Sequence, residues 1–145
     1  MSKSIYYHTE DEISAPVDLG HYYYKIGDSQ KALDLFDEAI NCFHFVSPDR
    51  AMLYLSSIYI TYATILVSKK AYDGAIAFLK FAEGYFKNTE IHKTKLANIY
   101  LSLATAYKLS NDDISANLYA NKALEIYEMF LPKDDAHIVE CRKIA

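Results

Sequence analysis

The sequence is poor in the residues that break helices and in those that cross-link chains. It holds four glycines and three prolines in 145 residues, and no long polar linker separates its apolar segments. That excludes a loop-rich architecture and favours one domain with a continuous core. Cys42 and Cys141 lie far apart and fit no disulfide framework, so a reducing, cytoplasmic setting is expected. Basic residues are outnumbered: 15 Lys and Arg face 19 Asp and Glu, for a formal net charge of -4. Nucleic acids and anionic membranes are bound by clustered cations, so neither is the expected partner. The opening "MSKSIYYHTEDEIS" lacks the apolar stretch of a secretory leader.

A long, purely apolar run is also missing. Residues 51–68 ("AMLYLSSIYITYATILVS") carry no charge, but they include Ser56, Ser57, Thr61, Thr64 and Ser68. A spanning helix needs about 20 predominantly apolar residues. The expectation here is a helix buried on most sides within a helical stack, not membrane insertion.

Catalytic motifs are absent as well. There is no glycine-rich phosphate loop, no H-E-x-x-H and no G-x-S-x-G. His8, His21, His44, His92 and His137 show no i, i+4 pairing. Cys42 and His44 are two apart, which on a helix sends them to different faces rather than to one metal. Asp34, Asp37 and Glu38 suit a solvated helix face, and the "NDD" of 111–113 suits an N-cap. No enzyme, no cofactor and no metal is expected.

Helical periodicity covers nearly everything after residue 13. Pro16 after Ser14 marks an opening turn, and "GDSQ" at 27–30 breaks and recaps the chain. Ser47 reads as an N-cap, with Pro48 first in the helix and Asp49 in its positive first turn. Further boundaries fall at 69–73, 87–90, 110–113 and 131–135. Six full helices in three hairpins, then part of a seventh, make an all-α chain.

The hairpins repeat. Ala32, Ala75 and Ala116 stand 43 and 41 residues apart. Seven residues past each is another alanine: Ala39, Ala82 and Ala123. Twelve before each is a small residue (Gly20, Ala63, Ala104), and nine before is a large one (Tyr23, Leu66, Tyr107). Small residues let two helices cross closely, and large ones fill the wedges between layers.

This pattern resembles the tetratricopeptide repeat. In that frame Leu19, Tyr62 and Leu103 take one large position, and Phe36, Leu79 and Ala120 another. Two residues depart from it: Ala120 is small where bulk is expected, and Pro16 stands where the other repeats have Tyr59 and Tyr100. The resemblance implies a right-handed superhelical α-solenoid of three hairpins plus a partial C-terminal helix. Its parts would be an N-terminal arm (1–12), repeats at 13–46, 47–89 and 90–131, and a C-terminal helix or cap at 132–145. Residues 135–145 look too brief for a full cap, so docking on a neighbouring subunit is one expectation. Residues 95–128 are similar to repeats of bacterial peptide-pheromone receptors, and 123–140 to kinesin-light-chain-like repeats.

What such a fold implies for function is a concave surface on the first helix of each hairpin that holds a protein or peptide. The lining would be His21, Tyr24, Lys25, Ile60, Thr61, Thr64, Val67, Leu101, Thr105 and Lys108. It is mostly hydroxyl and aliphatic, which suits an apolar-anchored peptide or helix. Chaperone-binding members of the family clamp a carboxylate with Lys, Asn and Arg; the matching places here hold Val17, His21, Thr61, Asn98 and Ser102, which speaks against that function. The expectation is a non-enzymatic adaptor. A peptide-pheromone-type sensor is the alternative, and a self-associating scaffold the third reading. Tyr6, Tyr7, Tyr22, Tyr24 and Tyr54 have no place in the repeat core and suit a binding surface.

Overall fold

The structure, a computed structural model, describes residues 10–42, 48–88 and 92–145. The helices are α1 (Glu10–Lys25), α2 (Ser29–Cys42), α3 (Pro48–Ser68), α4 (Tyr72–Phe86), α5 (Lys93–Leu109), α6 (Asp113–Phe130) and α7 (Ala136–Ile144). Among the described residues there is no strand, and no helix is long and apolar enough to cross a membrane. The chain divides into two compact units, residues 1–62 and 63–145, with the boundary inside α3.

Three turns show why the chain folds in hairpins. Gly27, Lys70 and Asn111 all have positive φ (92°, 62° and 67°), and their spacing repeats that of the anchor alanines. Each turn closes by the same bond: Asp28 N–H donates to Tyr23 O, Ala71 to Leu66 O and Asp112 to Tyr107 O, all at 2.9 Å. A left-handed residue there lets an amide reach back five residues and satisfy a carbonyl the helix end leaves open. Caps restart the chain. The Asp28 carboxylate accepts from Lys31 N–H at 3.1 Å, and Asp112 from Ser115 N–H at 3.0 Å. Ala71, at the corresponding place, offers no side-chain cap.

The small residues lie where close packing requires them. Ala32, Ala39, Ala75, Ala82, Ala116 and Ala123 are completely buried, as are Ala104 and, within 2%, Ala63. In unit 1, α1 packs on α2 with Gly20 against the Phe36 ring. In unit 2, α5 is packed by α4, α6 and α7. Between α5 and α6 the Tyr107 and Tyr119 rings stack at 5.6 Å, with Lys122 Nζ 5.1 Å from the Tyr119 ring centre. Burial, with the Glu83 carboxylate next in weight, pushes the Tyr100 hydroxyl up to about 12.

Two expectations are corrected. Helix α1 starts at Glu10, so Pro16 sits inside it rather than in an opening turn. Proline costs the helix one amide donor there, and the helix passes through it. Leu19 is 48% exposed where Leu103 is fully buried, so the large position of the first repeat does not reach the core as its counterpart in the third does. Residues 136–144 form α7, which packs on α6 and α5 and buries Ile138 and Cys141 completely. The Asp135 carboxylate caps α7, accepting from His137 N–H at 2.8 Å. The expected cap Ser47 and the boundary residues Asn88 to Glu90 fall differently: Asn88 follows α4, while Ser47, Thr89 and Glu90 lie outside the described residues, as do His8, His44, Tyr6 and Tyr7.

Candidate binding groove

Unit 2 contains a concavity of about 190 Å³. Ala63, Thr64 and Val67 of α3 form one wall, and Leu101, Ser102 and Thr105 of α5 the other. Both sets follow an i, i+1, i+4 spacing, which keeps three side chains on adjoining parts of one helix face. Leu79 of α4, 1% exposed, lies between them as floor, and Glu140 of α7 completes the lining. The Thr105 hydroxyl donates to Leu101 O of its own helix at 3.0 Å, so its hydrogen is engaged there. The lining is chiefly aliphatic, with one carboxylate.

Of the residues expected to line a groove, Thr64, Val67, Leu101 and Thr105 thus meet in one concavity. Lys108 does not line it. Its ammonium lies 3.1 Å from the Asp113 carboxylate at the start of α6, an exposed pair of small energetic worth. Glu140 was not foreseen. The Ile138 and Cys141 pair, three residues apart, was the available sign of a helix face that packs inward.

In unit 1 the structure brings His21 of α1 to Thr61 of α3, with Nδ1 and Oγ1 3.5 Å apart. The His21 ring also meets the Phe36 ring edge-on at 5.1 Å. Burial lowers the His21 imidazole below its ordinary value; Asp18 opposes that shift and Lys25 adds to it. A neutral ring can accept the Thr61 proton at Nδ1, which agrees with that direction. Ile60 is half-buried, while Tyr24 and Lys25 are exposed in the last turn of α1. Nearby, burial raises the Asp37 carboxyl, against the pull of its hydrogen bond to Tyr62.

No family model matches this sequence, and no curated protein matches it. Among solved structures, the chain is similar to the N-terminal domain of stress-induced protein-1 (STI-1) from C. elegans. The superposition has a TM-score of 0.69 and covers 99% of this chain and 98% of that one, at 19% identity. The fold is a tetratricopeptide-like helical-repeat fold. At that identity the likeness speaks for the fold alone.

Some of the places that the family resemblance gives to a carboxylate clamp are engaged within their own unit. Within unit 1, Val17 is 3% exposed and His21 is engaged with Thr61. Within unit 2, Asn98 Oδ1 accepts the hydroxyl of Tyr127, a side chain 1% exposed. None of these places presents a free cation. Among the described residues no three His, Cys, Asp or Glu side chains are grouped as metal ligands would be.

Proposed function

We propose that this chain is a non-enzymatic, cytoplasmic adaptor that holds a peptide or helix of a partner protein. The observation that carries the reading is the concavity of unit 2. Its walls come from the first helices of two successive hairpins and its floor from a buried leucine. Small-molecule sites usually enclose about 300–1,000 Å³. This one is smaller and suits one anchoring side chain, with the rest of the occupant lying along the helices. That is how an extended or helical segment docks, by knobs in an apolar groove. Within unit 1, exposed Tyr24 offers contact area at low rotamer cost as a contact of its own.

Thr64 is exposed on the wall, so Thr64→Arg is expected to fill the concavity while leaving the core intact. The test compares proteins retained from lysate by the parent and by Thr64→Arg, using quantitative mass spectrometry. Partners lost from the variant, with unchanged circular dichroism and melting, support the groove. An identical retained set, with the variant folded, refutes it.

A further inference from the structure

Glu140 is the only ionisable side chain among the described residues that line the concavity. It has no hydrogen bond or ion pair among the described residues, and Arg142 and Lys143, which follow it on α7, do not neutralise it. Within unit 2 the expected groove cation, Lys108, is already paired with Asp113. The concavity therefore combines apolar walls with one uncompensated negative charge.

We propose that the polypeptide segment received here carries a basic residue beside its apolar anchor, the anchor entering the cavity and the basic group meeting Glu140. This rests on the groove reading above and adds the chemistry of the occupant. A cavity of about 150 Å³ holds a benzene ring, so the 190 Å³ present takes one aromatic or branched aliphatic side chain. The flanking residues of the occupant then lie at the rim, beside the carboxylate. An acidic neighbour would be repelled there, and a Lys or Arg attracted. Charge at a rim selects partners and speeds encounter more than it adds affinity. A second copy of this chain fits less well, since each copy brings a net charge of -4.

The test is selection of short random displayed peptides on the parent, on Glu140→Lys and on Thr64→Arg. The parent is expected to enrich sequences that pair Leu, Ile or Phe with a nearby Lys or Arg. On Glu140→Lys the preference should turn to Asp or Glu, and parent-selected peptides should bind several-fold more weakly, with a salt dependence reversed in sign because salt now screens a repulsion. Peptides that are lost on Thr64→Arg but show no basic preference, or keep it on Glu140→Lys, overturn this inference and leave the groove standing. Peptides enriched equally on parent and Thr64→Arg overturn both, as does a selection that enriches nothing on the parent. Ser102→Arg, on the opposite wall, replaces Thr64→Arg if that variant fails to fold.

Discussion

The ring of Phe36 occupies the space that a side chain on residue 20 would need. A Cβ on Gly20 would lie 2.5 Å from Cε1 and 2.8 Å from Cδ1 of that ring, which is itself fully buried. The same two repeat places hold Ala63 with Leu79, and Ala104 with Ala120. As the residue on the first helix grows from Gly to Ala, its counterpart shrinks from Phe to Leu or Ala.

Gly20→Ala should therefore lower the melting temperature. Overpacking costs about 1–3 kcal/mol, against a gain of up to about 1 kcal/mol from replacing glycine within a helix. Gly20→Ala with Phe36→Leu recreates the pair found in the second hairpin, and it should be more stable than the sum of the two single changes implies. A double-mutant cycle from thermal melts measures that coupling. Additive effects would show that the two side chains do not compete for one space.

His21 makes stability depend on pH. Its folded-state value lies below the unfolded 6.5, because burial disfavours the charged ring. The unfolded chain thus takes up the proton first, and stability falls as pH drops through 6.5 toward the lower folded value. His21→Gln should shrink the difference in melting temperature between about pH 7.5 and about pH 5.5, since the other titrating groups are common to both proteins. An unchanged difference would remove His21 from the account.

How much was legible can be argued from particular residues. The anchor alanines were readable because close helix crossings tolerate no bulk, so the requirement recurs at each hairpin and leaves a period in the sequence. Thr64, Val67, Leu101 and Thr105 could be named together because the repeat frame carries helix faces with it. The exposure of Leu19 was not legible, since burial depends on what covers a helix and not on its own periodicity. Nor was Glu140. Its place follows from the route of residues 131–135, and one short helix has no second copy in the chain to set its register. Lys108 stands off the concavity for a local reason: Asp113, five residues on, draws its ammonium across the turn.

The three hairpin turns supply a stability test from within the chain itself. Asp28 and Asp112 cap α2 and α6, while Ala71 leaves the first amides of α4 without a side-chain acceptor. A cap of this kind is worth about 0.5–2 kcal/mol. Ala71→Asp should thus raise the melting temperature by a few degrees, helped by the positive first turn of the helix. Asp112→Ala should lower it by a similar amount. The Asp112 carboxyl is held below its ordinary value, chiefly by the Ser115 backbone bond, so acidification that protonates it should erase part of the difference. A second change acts on the backbone alone. Lys70 holds φ of 62° where the first hairpin has Gly27, and Lys70→Gly should relieve about 1 kcal/mol of left-handed strain. Thermal melts of the single variants and of Lys70→Gly/Ala71→Asp measure both effects. If Ala71→Asp melts no higher than the parent, the α3–α4 turn does not share the capped geometry of the other two, and its equivalence to them as a repeat unit fails.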